Sequence, residues 1–190
     1  EKSNLYDSDA DTQILSHFEN NLADSSSHAN TMFRSSGATY TPTSSLFGNA
    51  SVVLTGTSAG VGWTTTECIT TISMEVWVTF TDTLPADGVI MEVIEPVYHQ
   101  WSQANVRIDS NSKLICWDDA SKITYTGKTT LITGVLYHIL FQFGPNGRYL
   151  YLNDTVEVCN ASDTIPWYSD LARDFGIGKI NTHWYTSVNG

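Results

Sequence analysis

The chain has 190 residues, 41% hydrophobic and 12% aromatic, which is enough to bury one substantial core and short for two. Its formal net charge is −11, which argues against a nucleic-acid phosphate backbone as a partner. No apolar run is long enough for a transmembrane helix.

Charged residues make up 15% of the chain, and Ser, Thr and Asn fill most other polar positions. Hydroxyls and amides suit strands and turns better than helices. The three cysteines, Cys68, Cys116 and Cys159, lie too far apart for a CxxC centre. Buried reduced thiols and a single disulfide are both compatible with that count, and at least one thiol is expected to stay free.

The first dozen residues are polar and acidic and read as an arm or linker; one domain is expected over 13–190. A chain that begins at Glu1 rather than Met is expected to be processed or a piece of a longer protein. Gln13 to Phe18 reads as a short strand, followed by a loop of turn formers from Asn20 to Ser27. Thr70 to Thr81 carries the strongest periodicity. Ile72, Met74, Val76, Val78 and Phe80 share one face, and Ser73, Glu75, Trp77, Thr79 and Thr81 the other. Strict alternation over this length means a strand with one face in a core and the other open to solvent or ligand.

Further strands are expected at Gly88–Glu95, Gln103–Ile108, Lys113–Trp117, Ile123–Tyr125, Val135–Phe143, Arg148–Asn153, Val156–Cys159 and Asp174–Ile180. The turns are Asp118-Asp119-Ala120, Gly144-Pro145-Asn146-Gly147 and Asn153-Asp154-Thr155. One helical turn is expected near Ser169–Arg173. Roughly a dozen strands with turns about every 8–12 residues indicate an all-β fold, a two-sheet antiparallel jelly-roll sandwich. Asn49, Asn153 and Asn160 head N-glycosylation sequons, which matter if the chain passes through a glycosylating compartment.

Several segments in order carry a family resemblance: Ile14-Leu15-Ser16-His17-Phe18 with Asp24-Ser25-Ser26, Ser45-Leu46-Phe47-Gly48 with Ala50 to Leu54, Ile72 to Val78, Tyr137-His138-Ile139, Arg148 to Asn153, and Phe175-Gly176-Ile177-Gly178. Together they resemble the laminin-G-like branch of the concanavalin A-like lectin/glucanase superfamily, in the form found in phage structural and bacterial surface proteins. The resemblance implies a concanavalin A-like jelly roll. The family's usual closing strand has no counterpart before Gly190.

Glycoside hydrolysis needs two carboxylates about 5–10 Å apart across a sugar. The E-x-D-x-E strand of glucanase members is absent, and Glu92 and Glu95 fall on opposite faces of a regular strand. No nucleophile elbow or papain-type cysteine motif is present, and His17 and His138 read as packed or hydrogen-bonded strand residues. No catalytic residue is therefore expected, and hydrolysis ranks third among the functions. Glu19, Asn20 and Asp24 place carboxylate and amide oxygens in one short loop, the donor set for calcium. The alternative is that Asp24 simply caps a turn.

Trp77 and Glu75 on the polar face of the best strand suit a sugar, the ring stacking and the carboxylate accepting hydroxyl donors. Trp101, Trp117 and Trp184 lie beside other aromatic and polar groups in expected loops and are candidate contact residues. The expected role is a non-catalytic recognition or decoration module of an extracellular or virion assembly, binding glycan or protein. The competing role is purely structural, with the aromatics packing against copies of the chain or a scaffold as a homo-oligomer or larger surface assembly.

Overall fold

The computed structural model describes residues 10–42, 49–56, 58–65, 71–84, 86–94, 102–118, 124–144, 146–160 and 173–178. Strands form all the regular structure among them: β1 (Thr31–Ser36), β2 (Ala38–Thr41), β3 (Ser51–Leu54), β4 (Gly60–Thr64), β5 (Ile72–Thr79), β6 (Val89–Ile94), β7 (Ser102–Ile108), β8 (Lys113–Asp118), β9 (Thr124–Thr130), β10 (Leu136–Gly144), β11 (Gly147–Leu152), β12 (Thr155–Asn160) and β13 (Asp174–Gly178). They build a seven-stranded sheet, β1-β4-β13-β6-β7-β8-β9, a four-stranded sheet, β12-β11-β10-β5, and the β2-β3 ribbon. Neighbours run antiparallel. The fold is an antiparallel jelly-roll sandwich, as the alternation predicts. Among the described residues no helix is long and apolar enough to cross a membrane.

The core lies between the two large sheets. Ile72, Ile139, Phe141, Phe143, Leu150 and Val158 come from one, and Val93, Ala104, Val106, Leu114, Cys116 and Phe175 from the other. Met74, Val76, Val78 and Phe80 pack on this core while Ser73, Glu75, Trp77 and Thr79 stay exposed, so β5 alternates as its sequence requires. Each large side chain fully removed from water contributes about 1.5–3 kcal/mol, so this face of β5 fixes its orientation.

A second cluster sits beside the first. Leu22, Val61 and Trp63 pack with Ile14, Phe18, Val52, Leu54 and Ile177, and the Trp63 indole N–H donates to the Leu22 carbonyl at 2.9 Å. Gln13 to Phe18 belongs to this cluster but forms no strand, contrary to expectation. Its polar groups are taken up locally: the Leu15 N–H donates to Asp24 Oδ1, and the Leu15 carbonyl accepts from Ser25 N–H. Phe18 has a φ of 54°, which no strand tolerates. The turn expected at Ser169–Arg173 falls outside the described residues except for Arg173.

The sheet edges β12 and β9 are tied by side chains rather than by a ladder. The β11–β12 register slips between Leu150 and Tyr151, inserting Glu157 as an extra residue. Its carboxylate crosses to β9 and accepts from the Lys128 N–H, the Thr129 N–H at 2.9 Å and the Thr129 hydroxyl at 2.6 Å. Gly127 makes room, since a Cβ there would lie 2.9 Å from Glu157 Oε2. Nearby, the Asn160 amide donates to the Tyr125 hydroxyl at 2.6 Å, and the buried Arg148 guanidinium lies 5.2 Å over the Tyr125 ring.

Glu157→Ala strands these donors, and the expected loss is about 1–3 kcal/mol, read from urea denaturation. An unchanged midpoint would show that the tie contributes nothing. Burial raises the Glu157 carboxyl pKa, but the Thr129 hydroxyl and the Thr129 and Lys128 N–H groups outweigh it, so the net shift is downward. A lowered folded-state pKa means stability that is complete above the ordinary glutamate value and lost as acid pH falls through the folded value. Denaturation of Glu157→Gln should lose that part of the acid sensitivity.

Candidate functional site

The outward face of the four-stranded sheet gathers the exposed chemistry. Register places Trp77 opposite His138, Glu75 opposite Leu140 and Ser73 opposite Gln142, with Tyr151 and Tyr149 next to Leu140 and Gln142 on β11. Trp77 is 40% exposed. The His138 ring stacks on it, with centroids 4.4 Å apart and planes 15° from parallel. His138 Nε2 lies 2.8 Å from Glu75 Oε1, and Nδ1 lies 3.5 Å from Asp154 Oδ1, whose side chain is 93% exposed.

The turn after β11 creates this arrangement. Leu152 pairs with Thr155, leaving Asn153 and Asp154 as a two-residue loop with φ of 48° and 63°. Both central residues at positive φ is the hairpin geometry that Asn and Asp tolerate. Asn153 stays beside β10: its N–H donates to the His138 carbonyl and its side-chain oxygen accepts from the His138 N–H, each at 2.9 Å. That leaves Asp154 beside the imidazole. Farther along, the Gln142 amide donates to the Ser73 hydroxyl at 3.1 Å, and Tyr149 and Tyr151 stack 6.4 Å apart. Trp77, Leu136 and Val156 are three of the six exposed large hydrophobics among the described residues, and all lie on this face. Large apolar side chains left exposed on one face commonly mark a contact site.

No protein-family model matches the sequence, and neither does any curated protein. Solved structures do match by shape. The Trypanosoma rangeli sialidase complexed with 2,3-difluoro-KDN aligns with a TM-score of 0.59 at 12% identity, over 79% of this chain and 24% of the sialidase. The same enzyme as its covalent intermediate with 2,3-difluorosialic acid gives a TM-score of 0.60, again at 12% identity over 79% and 24% of the two chains. The carbohydrate-binding module CBM66 from Bacillus subtilis aligns with a TM-score of 0.42 at 12% identity, over 75% of this chain and 88% of the module. The chain shares an all-β fold with these sialidases. It spans 24% of their length.

Glu75 and Trp77 thus come together as the alternation predicts, and His138, Asp154, Tyr149 and Tyr151 join them. Trp117 does not. Cys116 points into the core, so Trp117 projects from the far side of the seven-stranded sheet, half-buried on β8 rather than in a loop. The Arg107 guanidinium sits 5.6 Å over its ring. Trp101 and Trp184 lie outside the described residues, as does Glu95. Glu92 shares the Trp117 side of the sheet, in register with Asn105 and Gly176, and Asp174 lies diagonally across from it. This acid pair escapes a reading by motif, because its members come from strands distant in sequence. Both acids are buried, Glu92 at 2% exposure and Asp174 at 0%, so neither meets solvent. Cys159 is an exposed free thiol opposite Tyr149, and Cys116 is a core residue.

The proposed calcium ligands are engaged otherwise. Asp24 Oδ1 accepts from the Leu15 and Ser26 N–H groups, and Oδ2 from the Ser26 hydroxyl, the Asn30 N–H and the Asn30 amide. Five donors exceed the roughly four lone-pair sites of a carboxylate, which leaves none for a cation. Both Glu19 oxygens accept from the Asn49 N–H. Asn20 stands at a φ of 59° in the intervening turn. Among the described residues no group of three or more His, Cys, Asp or Glu side chains is arranged to hold a metal. The loop as folded does not fit calcium and has the geometry of a capped turn.

Burial raises the Asp24 carboxyl pKa, but the N–H groups of Leu15, Ser26 and Asn30 and the Ser26 hydroxyl more than offset it, and the net shift is downward. Asp24→Ala is expected to lower stability by about 1–3 kcal/mol, with the difference vanishing in acid below the folded-state value. Thermal melts with calcium and with chelator should superimpose for the unmodified chain. A calcium-dependent rise abolished by Asp24→Ala would show that the carboxylate exchanges its N–H donors for metal.

Proposed function

We propose that the chain is a non-catalytic, laminin-G-like recognition module of the concanavalin A-like kind, working outside a cell or on a particle surface, and that it binds glycan on the outward face of its four-stranded sheet. The observation that carries this reading is the exposed Trp77 ring, held upright by its stack on His138 with the Glu75 carboxylate beside it. An aromatic face flanked by an acceptor and a ring N–H is the arrangement that receives a sugar, apolar on one side and hydroxylated at its rim. Gln142, Ser73, Tyr149 and Tyr151 extend the same polar-aromatic surface along the sheet.

The non-catalytic part rests on the same geometry. Glu75 and Asp154 are the carboxylates of this face among the described residues, and they stand at opposite nitrogens of one imidazole. The ring fills the space where a scissile bond would need to lie between them. The similar sialidase structures are complexes with 2,3-difluoro-KDN and 2,3-difluorosialic acid, but likeness at 12% identity bears on the fold alone. A packing surface is the second reading, favoured by the exposed Leu136 and Val156 on the same face.

A glycan array with the intact chain should show a restricted set of bound sugars, and Trp77→Ala should weaken them about tenfold or more. Trp77 is exposed, so the variant's melting curve should change little. A blank array together with a stable oligomer by sedimentation, dissociated by Trp77→Ala, would replace the glycan reading with the packing one.

A further inference from the structure

β11 ends its regular pairing with β10 at Leu152, opposite Ile139, and Asn153 stands next in line, facing His138. The Asn153 N–H still donates to the His138 carbonyl at 2.9 Å. A regular antiparallel pair would return the second bond from the His138 N–H to the Asn153 carbonyl. At a φ of 48° Asn153 has left the strand conformation, and its side-chain Oδ1 accepts that bond instead, also at 2.9 Å. The side chain thus adds one more rung to the ladder where the backbone turns away.

Both backbone groups of His138 therefore point toward β11. Its pairing with Trp77 on the other side of β10 is then of the non-hydrogen-bonded kind. In such pairs the Cα atoms approach to about 4.5 Å and the side chains stand closer together. The stack of imidazole on indole, 4.4 Å between centroids, uses that approach. His138 is held from two sides, by the indole on β5 and by the Asn153 rung.

We infer that Asn153 is a positioning residue for the recognition face: its side-chain oxygen fixes the start of β10, so that His138 keeps Trp77 in the ring orientation that receives a sugar. The role rests on the reading of that face as the glycan site. Asn153 acts through His138 rather than by touching the sugar. The position asks for tolerance of a positive φ together with a short side-chain acceptor. Glycine supplies only the first, and Asn and Asp supply both.

Two substitutions separate these properties. Asn153→Gly keeps the turn and removes the acceptor, and Asn153→Asp keeps both. In the glycine variant the His138 amide loses its acceptor, so its hydrogen exchange, followed by NMR, should quicken about tenfold or more, while the other β10 amides hold. The imidazole proton signals, shifted by the neighbouring indole, should move toward unstacked values. The aspartate variant should keep both signatures. Asn153 is exposed, so the melting curves should change little. Binding is read over a range of protein concentrations on an array printed with cello-oligosaccharides, N-acetylglucosamine oligomers, oligogalacturonates and sialylated oligosaccharides. Sugars bound by the unmodified chain should weaken about three- to tenfold in Asn153→Gly and recover in Asn153→Asp. An unchanged His138 amide and imidazole in Asn153→Gly would overturn the positioning role, whatever the array shows. So would equal loss of binding in both variants. Lost stacking with sugar binding intact, and binding still abolished by Trp77→Ala, would overturn it as well and leave the glycan site standing. A blank array with the unmodified chain, or binding indifferent to Trp77→Ala, would overturn the glycan reading and the role in recognition together.

Discussion

Trp77 sits opposite His138 because Val76 sits opposite Ile139. Val76, Val78, Ile139 and Phe141 face the core, and successive residues of a strand point to opposite sides of the sheet. A slip of β5 by one residue against β10 would drive Glu75 and Trp77 inward, away from His138, and turn the apolar set of β5 out to water. That costs on the order of 1.5–3 kcal/mol for each large side chain exposed, and desolvates a carboxylate as well. The core therefore sets the geometry of the exposed face: the same pairing that buries Ile139 brings an imidazole onto an indole and within 2.8 Å of a carboxylate.

A second constraint acts at the opposite edge of the same sheet. A two-sheet sandwich ends in strands with unpaired backbone groups, which invite other chains. Here the β12 bulge turns Glu157 toward β9, where one carboxylate satisfies two N–H groups and a hydroxyl. The bulge is confined to the edge strand, so the pairings that align β11 with β10 and β10 with β5 run without a shift. The irregularity closes the sandwich without disturbing the surface formed by Trp77, His138 and Tyr151.

How much could be read from the sequence follows from how each strand is stabilised. β5 and β10 are half-buried on a solvent-facing sheet, so their burial is written as alternation, and Glu75 and Trp77 followed from it. β4 reads Gly-Val-Gly-Trp-Thr and β6 is buried at every residue after Val89. Neither alternates in polarity, and β4 went unrecognised along with β1 and β2. The Gln13–Phe18 segment misled for the converse reason: its apolar residues do pack, but Asp24 rather than a neighbouring strand satisfies its backbone. That same Asp24 drew the calcium expectation, because a loop carboxylate looks alike in sequence whether its acceptors face a cation or N–H donors. His138 looked like an ordinary strand histidine. Its pairing with Glu75 joins residues 63 apart, and its approach to Asp154 depends on a turn conformation.

Both large sheets place an aromatic ring, a carboxylate and a cationic or potentially cationic group on their outward sides, yet the two surfaces are not equivalent. Around Trp117 the ring is covered by the Arg107 guanidinium, and Glu92, Asn105 and Asp174 are nearly or fully removed from water. Acidic and amide groups withdrawn from water in this way are costly to bury, so on that side they belong to the interior rather than to a solvent-facing surface. Around Trp77 the covering group is the His138 imidazole, and Asp154 is almost wholly in solvent. Charge left accessible to water is charge that an incoming ligand can meet without first breaking the fold. Since the same jelly roll supports both surfaces, the fold does not choose between them. Burial and the identity of the group stacked on each tryptophan set them apart, and among the described residues they leave the accessible ring and carboxylates on the four-stranded sheet.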